Sequence, residues 1–215
     1  MCTFAAAMKK TLLIFLAFLL TVVAGAQDES PNARQARRIF YKAYNQVFGP
    51  QGSKLTYDVN IVRLYKTRGT ICFKGNKRRF TDERVDTWND GEIAYMVYRK
   101  KKTVEIHHAN SDKKDKWSGK FKFSLDDFSY HIADDSHGLL LTLKQNKHAK
   151  GSVKEVRALI DRNTFAPISL KIKVAFFWTT IKISNFSSGN ITDEMFEFPR
   201  SRYENGYKFI DKRKK

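Results

Sequence analysis

The residues able to do chemistry are few, and their spacing favours none of the usual centres. Asp126 and Asp127 could divide acid and base roles, but neighbours on a strand point to opposite faces, and a solvated turn explains them better. The histidines His107, His108, His131, His137 and His148 lack the spacings of metal sites, and Asp134-Asp135-Ser136-His137 reads as a polar hairpin turn. Cys72 lies in an apolar stretch, Ile71-Cys72-Phe73, where a small packing residue is the expected role. There is no strand-turn-helix serine motif and no phosphate-cradling glycine loop. The expectation is a protein without catalytic residues, metal ligands or cofactor.

The elements that would position any site begin with an export signal. Lys9 and Lys10 precede an apolar run over residues 11–24, followed by Ala24-Gly25-Ala26 and the polar Gln27. The run falls short of the ~20 apolar residues that cross a bilayer. Residues 1–26 are therefore expected to be cleaved, with Met8 an equally good start, leaving 27–215 as one soluble domain in the periplasm. Gln27 stands where a lipid-anchored protein would have cysteine. Loss of Cys2 with the signal leaves Cys72 without an intramolecular partner.

The net charge is +18, and losing Lys9 and Lys10 leaves +16. An exported protein so charged meets anionic phospholipid headgroups rather than nucleic acid, or is merely well solvated. No feature demands a dimer, and a monomer is expected.

Ser30-Pro31 starts a helix whose apolar stripe is Ala33, Ala36, Phe40, Ala43, Tyr44, Val47 and Phe48, and Gly49-Pro50 ends it. From Leu55 the period changes to two, with Leu55, Tyr57, Val59 and Ile61 on one face. Strands follow over residues 70–74 and 79–83, a hairpin over 88–98 turning at Asp90-Gly91, and further strands over 103–107, 129–133, 139–144, 153–161, 168–176 and 179–186. Residues 110–128 fit neither period. Successive strands without intervening helices predict an antiparallel meander curling towards a barrel. The aromatic and aliphatic excess fits a ligand cavity and a filled core equally well.

Several segments in this order resemble the LolA-type outer-membrane lipoprotein carriers. Gly69-Thr-Ile-Cys-Phe-Lys-Gly-Asn-Lys-Arg-Arg-Phe80 resembles the family's glycine, strand and basic turn, and Trp88-Asn-Asp-Gly-Glu-Ile-Ala-Tyr95 its hairpin. Ile160-Asp-Arg-Asn-Thr-Phe-Ala-Pro-Ile168 resembles its late turn. Asp193-Glu-Met-Phe-Glu-Phe198 with Ile210-Asp-Lys-Arg213 is similar to its C-terminal signature, and Trp178-Thr-Thr-Ile-Lys-Ile-Ser184 to the Bacteroidetes branch. The resemblance spans nearly all of the chain after the signal. It implies an α+β, mostly β fold, in which a strongly curved antiparallel sheet forms an unclosed half β-barrel, with an N-terminal helix and short lid elements over the concave face. It also implies a carrier that takes acylated lipoproteins from an inner-membrane ABC transporter to an acceptor or membrane surface at the outer membrane. A lipid-sensing regulatory or adaptor module on the same half-barrel is the second reading. The family's arginine-proline pair after the second strand is missing: Gly75-Asn76 takes its place.

On that fold Tyr57, Val59, Ile61, Ile71, Phe73, Trp88, Tyr95, Phe121, Phe123, Leu141, Leu170, Ile172, Val174, Phe176 and Trp178 are expected along the acyl-chain cavity, with Tyr57, Val59, Ile71, Phe73, Tyr95 and Ile172 placed there by the apolar phase of their strands. Arg99, Lys100, Lys101, Lys102, Lys113, Lys114 and Lys116, with Phe177 and Trp178, are the residues expected to meet a membrane or partner. The even phase of 168–174 against the odd phase of Ile181 and Ile183 predicts a turn near residues 176–180. There Trp178 either plugs the cavity mouth or joins Phe177 in an exposed tip.

Overall fold

A computed structural model describes residues 29–61, 65–111 and 124–213. The expected signal, Phe121, Phe123, Lys113, Lys114, Lys116 and the side chain of Ile61 lie outside the described residues.

Helix α1 spans Pro31–Phe48. Proline fits the first turn because its missing N–H would have had no helical acceptor there. Ala36, Ile39 and Ala43 are its buried residues, so Ile39, absent from the expected stripe, completes the inward face. Gly49 N donates to the Asn45 carbonyl at 2.9 Å as the helix ends.

Twelve strands among the described residues form one sheet: β1 Ser53–Ile61, β2 Tyr65–Lys74, β3 Lys77–Asp82, β4 Val85–Asn89, β5 Ile93–Tyr98, β6 Thr103–His108, β7 Phe128–Asp135, β8 Gly138–Gln145, β9 Val153–Ile160, β10 Pro167–Val174, β11 Phe177–Ser188 and β12 Lys208–Asp211. Their order is β12-β6-β5-β4-β3-β2-β1-β11-β10-β9-β8-β7. Two meanders, β1–β6 and β7–β11, thus join through the β1–β11 pair. Different strands stand at the two edges, so the barrel is unclosed. Every pairing is antiparallel except β12 with β6, which is parallel. After β11 the chain crosses one face of the sheet before it reaches the edge, and so the short β12 arrives in the same sense as β6.

Each face has its own cover. Helix α1 packs on β7–β10, enclosing Phe128, Tyr130, Ile132, Leu141, Leu143, Val156, Ala158 and Ile160. The segment after β11 covers the other face of β2–β6, where Ile191 and Phe196 bury Cys72 and Tyr203 with Phe198 packs on Trp88, Val97 and Val104. Burial holds the Cys72 thiol above its ordinary pKa.

The β4–β5 turn follows the sequence closely. Gly91 takes φ +102°, and Asp90 Oδ1 accepts from the N–H groups of Glu92 and Ile93 at 2.8 Å. The β3–β4 turn rests on a buried carboxylate. Asp82 accepts from Arg84 N at 2.7 Å, Val85 N at 2.9 Å and Thr67 Oγ1 at 3.1 Å, while Arg99 donates to the Asp82 carbonyl and the Asp86 carboxylate. Asp82→Ala would strand the Arg84, Val85 and Thr67 donors, and a loss of about 1–3 kcal/mol in urea unfolding is expected. An unchanged midpoint would show that water replaces the carboxylate.

Candidate functional site

Residues directly opposite in an antiparallel pair share a face, so the register traces what each side of the sheet carries. One row reads Ile132, Leu141, Ala158, Leu170, Ile181, Val59, Thr67 from β7 to β2. Its first three members are buried beneath α1, whereas Leu170, Ile181 and Val59 are only half-buried. Leu170 sits at the margin of the helix-covered core together with Ile172 and Val174. Ile183 lies on the same face opposite Tyr57, and Ile71 lies opposite Leu55 and Phe80. The helix therefore fills one end of an apolar face and leaves the rest, over β11, β1 and β2, with a half-covered hydrocarbon floor.

A wall of rings borders that floor. Phe40, Tyr44 and Phe48, four residues apart on α1, form a chain of contacts from Tyr130 on β7 to Phe73 on β2. Centroid separations are 5.6 Å for Tyr130–Phe40, 6.0 Å for Phe40–Tyr44, and 4.7 Å for both Tyr44–Phe48 and Phe48–Phe73. The helical pattern made these residues apolar, but only the structure shows them bridging the sheet. Phe73 was expected at the site; Phe40, Tyr44 and Phe48 were not, and their i, i+4, i+8 spacing was the available signal.

Other expected site residues are elsewhere. Cys72, Arg79, Trp88, Tyr95 and Ile106 are paired in succession across β2–β6 on the opposite face. There Phe198 stacks on Tyr95 at 4.2 Å and packs edge-on to Trp88 at 5.6 Å. Trp88 and Tyr95 thus hold the C-terminal segment, on the face away from α1. Leu141 is fully buried core. The β10–β11 turn is Ala175-Phe176, since Val174 pairs with Phe177, which is tighter and slightly earlier than the expected 176–180. Trp178 pairs with Lys173, on the face away from α1, with Arg157 4.8 Å and Lys173 5.8 Å from its ring.

Tyr57 closes the inner end of the floor. Its ring stacks on Phe80 at 5.5 Å and lies against Gly69, where a Cβ would come within 2.3 Å of Tyr57 Oη and 2.2 Å of the Thr81 carbonyl. Tyr57 Oη is buried without a hydrogen-bond partner among the described residues; the neighbouring Thr67 hydroxyl bonds instead to Asp82. Burial, reinforced by the Asp82 charge, raises the phenol well above its ordinary pKa of 10.0. The folded state therefore keeps Tyr57 neutral, and its stability falls as pH rises past the value at which the unfolded tyrosine ionises. Tyr57→Phe is expected to leave the melting temperature at pH 7 unchanged or higher and to weaken the loss above pH 10. A clear drop at pH 7 would mean that the hydroxyl has a partner after all.

A separate cavity of about 360 Å³ opens on the other face, lined by Ser129, His131, Leu140, Thr142, Lys144, Glu155 and Arg157. Its charged lining suits no long hydrocarbon chain. No group of three or more His, Cys, Asp or Glu side chains among the described residues is placed to hold a metal ion. None of the described helices is long and apolar enough to cross a membrane.

No family model matches the chain, and no curated protein matches it. Several solved structures are similar to it at low identity. One is a domain named for outer-membrane lipoprotein sorting from Vibrio parahaemolyticus, with 10% identity, covering 77% of this chain and 97% of that one at a TM-score of 0.43. Another is a LolA superfamily protein from Nitrosomonas europaea, with 10% identity, 77% and 98% coverage and a TM-score of 0.35. The lipoprotein LppX of Mycobacterium tuberculosis is similar at 9% identity, 74% and 97% coverage and 0.36. Likeness at this level carries no argument about activity, so function is read from the apolar face itself.

Proposed function

We propose that the half-covered floor of Leu170, Ile181, Val59, Ile183 and Ile71, walled by Phe40, Tyr44 and Phe48, holds the acyl chains of lipid-modified proteins, and that the protein carries them through the periplasm. The observation that carries this reading is the row from Ile132 to Val59, apolar throughout but buried only beneath α1. An apolar surface of that kind is costly to leave in water and marks a binding site. Each buried methylene is worth about 0.8 kcal/mol, so a fully enclosing cavity would never release a multiply acylated cargo, whereas a half-covered floor gives the intermediate affinity a carrier needs. On this reading an inner-membrane ABC transporter loads the floor, and an acceptor or membrane surface at the outer membrane empties it.

Diluting a detergent-solubilised lipoprotein into the protein tests the proposal. The lipoprotein should remain soluble and elute with the carrier in gel filtration, and the same polypeptide without its acyl chains should elute alone. Co-elution of both forms would contradict acyl-chain recognition.

A further inference from the structure

The meander sends its turns alternately to two ends. Ile61–Tyr65, Thr81–Asp86, Tyr98–Thr103, Lys144–Glu155 and Val174–Phe177 are the last pairs before turns at the same end. On this rim Lys100, Lys101 and Lys102 form one turn while Lys147 and Lys150 project from another, all exposed. The acids Glu83, Asp126 and Asp127 share it, with Asp126 4.0 Å from Arg37. The turns of the opposite end carry Asp90, Glu92 and Asp161 against Arg162.

The tip of the β10–β11 hairpin stands on the basic rim. Phe176 and Phe177 are 75% and 54% exposed, with ring centroids 4.1 Å apart. Turns normally carry polar residues and glycine, yet here Ala175 holds φ +53° next to two large apolar rings.

We infer that this rim docks on an anionic phospholipid surface, with Phe176 and Phe177 entering the acyl layer and the lysines lying among the phosphates. Two adjacent rings on a narrow tip, with lysines spread over separate turns, complement a plane of negative charge over hydrocarbon better than a socket in a protein. Phe177 shares its face with Thr179, Ile181 and Ile183, so the tip continues the apolar floor and hydrocarbon could pass between bilayer and floor without crossing water. The docking itself requires no cargo, and its test stands apart from the carrier reading.

An environment-sensitive fluorophore at Ala175→Cys in the full chain reads the tip directly. Cys2→Ser removes the other cysteine, and Cys72 is buried with a raised thiol pKa. With vesicles of phosphatidylglycerol and phosphatidylethanolamine the emission should shift to the blue and be quenched by nitroxide-labelled lipid, far more than with phosphatidylcholine. Lys100→Glu with Lys147→Glu should weaken the quenching titration about tenfold or more. A fluorophore at His137→Cys on the opposite rim should stay in water. Equal quenching at both positions, or none at 175 while the protein floats with the vesicles through its apolar residues 11–24, would overturn the proposal. So would a reporter at 175 that ignores lipid and is shielded only by an acidic protein.

Discussion

Leu141→Ala is expected to destabilise the fold by about 2–5 kcal/mol and to lower the melting temperature by roughly 5–15 °C. Leu141 has no solvent exposure and sits mid-row between Ile132 and Ala158, pressed by α1 through Ala36, Ile39 and Ala43. The contacts that surround it come from two strands and a helix, so the void cannot collapse without moving α1. Thermal unfolding followed by circular dichroism checks this. A shift of a degree or two would mean that α1 is loosely docked and that the boundary between filled core and open floor is misplaced.

The second large effect concerns the floor and leaves stability nearly untouched. Replacing Val59, Ile181 and Ile183 together by threonine keeps the β-branched shape that suits a strand but puts hydroxyls where hydrocarbon would lie. Each exchange should remove about 1 kcal/mol of apolar contact, so the triple variant should bind a fluorescent long-chain acyl probe about a hundredfold more weakly. Its melting temperature should change by only a few degrees, because the three side chains are half-buried and stand outside the helix-covered core. An unchanged probe affinity would place the acyl chains elsewhere.

The contrast between these two sites shows what was legible in the residues. The alternation Leu55, Tyr57, Val59, Ile61 and the phase of 168–174 place the floor on one face, because a strand with one apolar and one polar phase admits a single register. Ile93-Ala-Tyr-Met-Val-Tyr98 has two apolar phases. Nothing local distinguishes them, and Tyr95 went to the wrong side of any pattern argument once the C-terminal segment supplied a second core. That segment, with Phe196, Phe198, Tyr203, Tyr207 and Phe209, follows neither period. Its aromatics were a sign that something needed covering, but not of what. The parity change between Val174 and Ile181 did require a turn, yet a two-residue turn with Ala175 at positive φ is not one that composition announces. Its tightness carries Trp178 to the face away from α1, with Arg157 and Lys173 near its ring, and makes Phe176 and Phe177 the exposed pair. The missing arginine after β2 has no counterpart at Gly75-Asn76, which simply turns the chain, with Gly75 at φ +56°.

The most direct test is covalent. A synthetic triacylated lipopeptide bearing a photoreactive group midway along an acyl chain, irradiated in complex with the protein and followed by peptide mass mapping, reports where the hydrocarbon lies. Adducts should concentrate on β1, β2 and β11, around Val59, Ile71 and Ile181, and on Tyr44 and Phe48 of α1. Adducts on Leu140, Thr142 and Arg157 in the charged cavity of the other face, or a pattern unchanged by excess unlabelled lipopeptide, would contradict the assignment of the half-covered face as the acyl-chain site.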